Sequence, residues 1–283
     1  MPPRRILSLW LRTLAMDRYR LNHGEEEPGR PRVLIADTAH GPRIAAVGPA
    51  AAGTGARPGM MLADARALCP QIAAMPHDQA GDLAFLEQLS LWALRWGPWA
   101  ALDPPDGVLV DVTAVAHLFG GEGPLLGDVR QAFERRGLAV CAAIAPTAGA
   151  AWALARYGPP GTILPPRDEE DVLAGLPVAA LRLDGDVVTV LKRLGIKRIG
   201  QLVGVDQGGN GRDAIQRRFR NRRSPSANPL IRLDQLLGRV PEPLLPVVPV
   251  VPPLVQRRLM EPIRHRELLD RVLADLAADI AQE

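Results

Sequence analysis

The segment Ile6-Leu-Ser-Leu-Trp-Leu11 carries five apolar residues around a single serine, and Arg4-Arg5 and Arg12-Thr13 fence it on either side. Six residues are too few for a typical helix, and an almost unbroken apolar run reads as a strand covered on both faces. A central strand therefore opens a domain. Thr13 to Leu21 is compatible with a helix, and polar Asn22 to Arg32, with the acidic triplet Glu25 to Glu27, reads as a solvated loop. Val33 to Ala36 and Arg43 to Val47 form a pair of strands, the glycines from Gly53 to Gly59 punctuate the next stretch, and helical spacing from Met61 to Leu68 stops before Pro70.

The pattern then continues with a helix over Leu83 to Trp96 and a β-rich core over Asp106 to Thr113 after a Pro-Pro break. A helix over Gly123 to Arg136, a strand over Leu138 to Ile144 and an Ala-rich helix over Thr147 to Tyr157 follow. With Ile6 to Trp10 taken first and Leu83 to Trp96 second, the order strand, helix, strand, strand, helix, strand is the ferredoxin-like βαββαβ arrangement of an α+β fold. Residues 15–76 are then an insertion. A second unit begins near Pro165, where Leu176 to Leu183, Val187 to Leu194 and Ile199 to Val203 are short helical candidates in a helix-hairpin-helix style. The stretch from Val240 to Pro253 holds six prolines in fourteen residues and is expected to be extended and semi-rigid. Beyond it, Leu268, Leu269, Val272, Leu273, Leu276 and Ile280 form the apolar stripe of one amphipathic helix, which cannot bury that stripe alone.

With 47% apolar and 23% charged residues, the 283-residue chain can bury a core and is no disordered polymer. Two or three domains match its length. It has no run of about 18 apolar residues to span a bilayer, so the expectation is a soluble cytoplasmic protein with no membrane partner. Cys69 and Cys141 lack CxxC spacing and clustered histidines, which argues against disulfides and structural zinc and reads as two core thiols. Charge is strongly polarised: from Leu181 to Met260 fifteen Lys and Arg face six acids, a net of +9, against +3 for the whole chain. One segment thus suits a polyanion, the usual electrostatic footprint of a nucleic-acid binder.

Several stretches, in one order along nearly the whole chain, resemble the Y-family translesion DNA polymerases, and more narrowly their ImuB branch. They are Arg4-Arg-Ile-Leu-Ser-Leu-Trp-Leu11, Ala56 to Pro70, Leu102 to Thr113, His117-Leu-Phe-Gly-Gly-Glu122, Ala150 to Gly158 and Leu233 to Leu244. The resemblance implies a polymerase-like palm over 1–14 and 77–164, fingers over 15–76 and a helical thumb over 165–240. It also implies a proline-rich linker over 241–253 and the start of a little finger over 254–283, with the chain stopping at Glu283 before that domain's remaining strands.

It further implies where chemistry belongs. Two-metal phosphoryl transfer needs carboxylates converging on cations about 4 Å apart. The family's first aspartate aligns with Trp10 and its Asp-Glu pair with Asp106 and Gly107, so one carboxylate of three remains and neither a metal pair nor another cofactor is expected. Asp103 and Asp111 are nearby substitutes, for which local capping and salt bridging are the plainer roles. The family's nucleotide-gripping Tyr and Arg align with Pro49 and Ala52, and its triphosphate-binding Lys segment with Ala145-Pro-Thr-Ala148. Gly53, Gly55 and Gly59 lack P-loop spacing.

What remains is affinity for DNA. Arg217, Arg218, Arg220, Arg222 and Arg223 crowd seven residues, and Lys192, Arg193, Lys197 and Arg198 flank Gly195-Ile196, where amides at a helix start are placed to meet a phosphate. Gln88-Leu-Ser-Leu-Trp92 resembles a clamp-binding peptide but fits a packed helix better; in the ImuB branch that peptide is expected nearer the C-terminus.

The leading expectation is a non-catalytic, DNA-binding adaptor in damage-induced (SOS) translesion synthesis and mutagenesis. The resemblance implies as partners a RecA-like ImuA-type protein, the sliding clamp and an error-prone C-family polymerase. Two alternatives stand beside it: an active polymerase with a metal site rebuilt from Asp103, Asp106 and Asp111, and a protein-interaction module whose basic segment is incidental.

Overall fold

The computed structural model describes residues 4–24, 29–166, 169–203, 211–248 and 254–280. Residues 1–247 form one compact unit and 248–283 a second. In the first, β1 (Ile6–Trp10) lies between β6 (Gly107–Asp111) and β7 (Cys141–Ala145) in an antiparallel sheet, with β5 (Trp99–Asp103) at the edge beyond β6. The strand order, β5-β6-β1-β7, is that of a ferredoxin-like βαββαβ unit. Trp99 to Asp103 carries no strand signal of its own in the sequence; it hairpins onto β6, with Asp103 opposite Gly107.

Both faces of β1 are covered, as its apolar run requires. Leu7 and Leu9 face a core shared with α4 (Gln79–Ala93) and α5 (Glu122–Glu134), where Leu86, Trp96, Val129 and Phe133 are buried. Ile6 and Trp10, on the opposite face by strand alternation, meet α6 (Ala148–Tyr157). Alanines at 148, 150, 151, 153 and 155 let α6 lie close on the sheet, and Thr147 caps it by accepting from Ala150 N–H at 3.0 Å. Fully burying a side chain such as Leu86 or Phe133 contributes about 1.5–3 kcal/mol.

Gly97, which leads into β5, sits where a Cβ would lie 2.3 Å from the Asp111 carbonyl oxygen and 2.8 Å from Val110 Cγ1. The backbone carbonyl cannot swing aside as a flexible side chain would. Gly97→Ala should lower stability by about 1–3 kcal/mol in urea denaturation, and a neutral result would show that the β5–β6 edge is looser than its register implies.

The insertion builds a second sheet. Strands β2 (Arg32–Thr38) and β3 (Gly41–Val47) form the expected hairpin, and β4 (Ala73–Pro76) adds to β2 in parallel, in the order β3-β2-β4. Its core of Val33, Ile44, Ala51, Leu62, Ala65 and Ile72 draws on α2 (Pro49–Gly53) and α3 (Leu62–Leu68). Neither β4 nor α2 is evident from the sequence: Ala73-Ala-Met-Pro has no β-branched residue, and only the open edge of β2 makes it a strand. Between this sheet and the end of β1 is a cavity of about 410 Å³ walled by Leu11, Leu14, Ala45 and Ala46, with Arg12 and Asp106 at its lining.

Helices dominate the remainder: α1 (Leu14–His23) near the start, then α7 (Glu169–Ala174), α8 (Gly185–Arg193), α9 (Ile199–Val203), α10 (Gly211–Phe219) and α11 (Pro229–Leu236). Where Leu176 to Leu183 was expected to be helical, only a 3-10 turn over Val178–Leu181 forms, because Pro177 is extended and Arg182 turns left-handed at φ 57°. Asn228 caps α11, accepting from Leu230 N–H at 3.1 Å. The proline-rich stretch then returns to the sheet: Pro246 bridges to Ala101, and Val247 N–H donates to the Ala100 carbonyl at 2.8 Å. A proline-bearing segment is tolerated at such an edge because its missing N–H faces away from the ladder.

In the second unit, α12 (Arg266–Ile280) covers the expected amphipathic segment, and none of its residues is buried. Arg257 ties its own strand of chain to this helix through Asp275 at 3.1 Å and Asp279 at 2.9 Å. Cys69 and Cys141 are free thiols but half-buried, not core residues as expected, since each sits at an element boundary. No described helix is long and apolar enough to cross a membrane.

Candidate functional site

Trp10 ends β1 opposite Gly107 on one side and Cys141 on the other. Its indole N–H donates to Asp106 Oδ2 at 2.9 Å. The other oxygen of Asp106 accepts from Arg156 Nη2 at 2.9 Å, and the same nitrogen reaches Asp103 Oδ2 at 3.2 Å. Asp103 Oδ1 accepts from Arg182 Nη2 at 2.7 Å. Arg182 Nη1 and Arg232 Nη1 both donate to Glu242 Oε1, at 2.8 and 2.7 Å. Three guanidinium groups thus alternate with three carboxylates, and the cluster is formally neutral.

Aromatic faces complete it. The Arg156 guanidinium lies 4.2 Å from the Trp152 ring centroid and 5.4 Å from that of Trp10, and Arg182 lies 5.5 Å from Trp152. The side chains of Arg156 and Asp103 are each 9% exposed. Burial pulls Arg156 below its ordinary pKa, opposed by the charges of Asp103 and Asp106. Burial likewise lowers Arg232, helped by the like charge of Arg182 and opposed by Glu242.

These residues do not fit a pair of divalent cations. Both oxygens of Asp106 and both of Asp103 already accept from nitrogen donors. A Cβ at Gly107 would lie 2.6 Å from Asp103 Oδ2 and 3.0 Å from Arg156 Nη2, so the space for a third carboxylate is filled. Asp111 pairs with Ile6 at the opposite end of β1, about 13 Å along the strand from the Trp10–Gly107 pair. There it accepts from Thr113 N–H at 3.0 Å and Arg4 at 3.1 Å, the capping and salt-bridging role. Among the described residues, no group of three or more His, Cys, Asp or Glu side chains is placed to hold a metal ion.

Pro49 and Ala52 lie exposed on α2 and offer no polar side chain. Within Ala145 to Ala148, Thr147 turns to the helical part of the unit instead, its hydroxyl donating to the Leu236 carbonyl at 2.7 Å. Gln88 to Trp92 is one turn and more of α4, with Leu89 and Ser90 buried and Trp92 packed edge-on against Trp96 and Phe133, so it is not an extended peptide.

The basic residues divide. Arg217 and Arg218 are on α10, and Arg220, Arg222 and Arg223 follow it; all five are exposed. Arg222 pairs with Asp186 at 2.8 Å, and that hydrogen bond holds the Asp186 carboxyl below its usual range. Among the described residues, no ion pair engages Arg217, Arg218, Arg220 or Arg223. Lys192, Arg193, Lys197 and Arg198 are exposed around the α8–α9 turn. The amides there are not open to a phosphate, contrary to expectation: Gly195 N–H and Ile196 N–H donate to the Lys192 and Leu191 carbonyls at 3.1 and 2.9 Å, and Lys197 N–H and Arg198 N–H to Gln201 Oε1 at 2.7 and 3.0 Å. Arg198 also sends Nη1 to the Gly175 carbonyl at 2.7 Å.

Sequence reasoning missed Arg156, Arg182, Arg232 and Glu242. For Arg156 a signal existed, since it is the one charged residue in the Ala-rich α6. For Arg182 nothing local marks it, because its partners Asp103 and Glu242 lie 79 and 60 residues away, and Arg232 and Glu242, ten residues apart, meet only because the chain after α11 folds back.

Among solved structures, the insertion ternary complex of Dbh DNA polymerase is similar with a TM-score of 0.68 at 16% identity, covering 85% of this chain and 69% of that one. The crystal structure of DinB from Sulfolobus solfataricus gives 0.65 at 16% identity over the same shares. The α+β fold is therefore that of the Y-family DNA polymerases. Residues 26–156 match the impB/mucB/samB family. Protein ImuB of Caulobacter vibrioides (strain NA1000 / CB15N) is 42% identical over 221 residues, 78% of this chain and 46% of the relative, as is its counterpart in strain ATCC 19089 / CIP 103742 / CB 15. The chain is thus an ImuB-type homologue with the fold of that polymerase family, and it spans about half the length of the curated relatives it matches.

Proposed function

We propose that this chain is the polymerase-like part of a non-catalytic, DNA-binding adaptor for damage-induced (SOS) translesion synthesis and mutagenesis in the cytoplasm. In this reading the four-stranded sheet is a palm (1–14 and 77–164), the inserted sheet the fingers (15–76) and the helices a thumb (165–240). A linker (241–253) then leads to the start of a little finger (254–283). Its partners are DNA, a RecA-like ImuA-type protein, the sliding clamp and an error-prone C-family polymerase that performs the synthesis.

The observation that carries the non-catalytic part is the Trp10–Asp106–Arg156 contact. Where this reading puts a metal pair's carboxylates, an indole N–H and a guanidinium take both oxygens of the one that remains. Phosphoryl transfer by two metals needs converging oxygen ligands free to bind. The exposed arginines after α10 and the basic α8–α9 turn support DNA contact through phosphates, which is independent of sequence and weakened by salt.

Given primer-template, dNTPs and Mg²⁺ or Mn²⁺, the purified protein should extend nothing on a denaturing gel. Extension that Asp106→Ala abolishes would overturn the reading in favour of a working metal site.

A further inference from the structure

We infer that Arg156, Arg182 and Arg232, with Asp103, Asp106 and Glu242, form a permanent joint that fastens the helical part of the first unit to its four-stranded sheet, with a guanidinium as the resident cation. The six members come from several pieces of chain, Asp103 and Asp106 sharing one turn. Asp103 ends β5, Asp106 closes the β5–β6 turn and Arg156 sits near the end of α6, all on the sheet side. Arg182 follows the 3-10 turn, Arg232 lies in α11 and Glu242 comes after it, all on the helical side. The Arg182–Asp103 bond alone links residues 79 apart in sequence.

Two further features make the contact a joint and not a chance surface pair. Arg182 holds a left-handed backbone at φ 57°, a conformation that disfavours L side chains and persists only where the surroundings impose it. Here both of its terminal nitrogens are engaged, one on each side of the junction. Beside the cluster, α11 lies on α6 closely enough that a Cβ at Gly149 would be 3.2 Å from Leu236 Cα, and Thr147 bonds the Leu236 carbonyl. A divalent ion exchanges with solvent, whereas a guanidinium tethered by its own side chain cannot leave. Because the charges are balanced and largely buried, salt screens them little. The orientation of the basic α8–α9 turn and α10 relative to the sheet is therefore set within the protein, whether or not it binds DNA.

The test is a distance distribution by pulsed electron resonance between labels at Arg130→Cys on α5 and Lys192→Cys on α8, with Cys69 and Cys141 replaced by Ser. The labelled parent should give one narrow distribution, unchanged between about 0.05 and 0.5 M salt. Glu242→Gln and, separately, Arg182→Gln should each widen it about twofold or more, while Arg4→Gln, which removes the remote pair with Asp111, should not. If either variant fails to fold, Arg182→Lys replaces it: the charge stays, an ammonium cannot reproduce the two-pronged grip of the guanidinium, and widening is again expected. A broad parent distribution overturns the joint, and so does a folded variant as narrow as the parent. Primer extension by the wild type would overturn the proposed function without altering these widths.

Discussion

Replacing Arg156 by Met should lower the free energy of unfolding by about 3–5 kcal/mol, read from urea denaturation, because it removes one partner from a buried ionic cluster and leaves the other uncompensated. Met keeps much of the length and apolar bulk that stack on Trp152, so the loss reports charge more than cavity. Most of the effect belongs to Asp103, whose side chain is 9% exposed and which would keep only Arg182. Asp106 is 29% exposed and can turn to water, so it contributes less. The second substitution Asp103→Asn in the Arg156→Met background should recover part of the loss, since it restores a neutral cluster while the amide oxygen can still accept from Arg182. A loss under about 1 kcal/mol, the range of an exposed pair, would show that the cluster is no tighter than surface ion pairs.

Replacing Arg217, Arg218, Arg220, Arg222 and Arg223 together by Gln should weaken DNA binding by roughly 10²–10³-fold at about 0.1 M salt. The dependence of log affinity on log salt should flatten by about 3 to 4, close to one counterion for each phosphate no longer neutralised. Four phosphates and not five are counted because Arg222 is committed to Asp186 in the free protein. All five are exposed, and among the described residues only Arg222, which pairs with Asp186 and lies 5.8 Å from the ring centroid of buried Phe219, touches the rest of the fold, so the fold should survive the change. Fluorescence anisotropy with a labelled duplex across a salt series measures both quantities. Unchanged affinity and an unchanged slope would favour the alternative in which the chain is chiefly a protein-interaction module.

The two parts of the molecule differ in how legible they were. The core elements announced themselves locally: Ile6 to Trp10 by its almost unbroken apolar run, α4 by helical spacing, and Val33 to Ala36 and Arg43 to Val47 as a pair of strands. The elements that escaped were those whose conformation is imposed from outside. β4 has no β-branched residue and exists because β2 offers it an edge, and the stretch before Arg182 is a 3-10 turn set between an extended Pro177 and a left-handed Arg182. Likewise the resemblance drew attention to Trp10, Asp106 and Gly107, whereas the groups that surround Asp106 could not be read from the sequence. The amides of Gly195 and Ile196 look available in the sequence, but in the fold they donate to the Lys192 and Leu191 carbonyls, and the next two amides to the Gln201 side chain.

Local composition thus determined the central strand, the helices on one side of the sheet and the polarised charge of 181–260. Periodicity and charge are properties of neighbouring residues, and they can be read in order along the chain. Tertiary structure alone decided that Asp106 is held by Trp10 and Arg156, and that Asp103, Arg182, Arg232 and Glu242 complete the cluster. Ion pairs between residues 50 to 79 positions apart, such as Arg156 with Asp106 and Arg182 with Asp103, depend on where the backbone brings them, and no spacing rule carries that information.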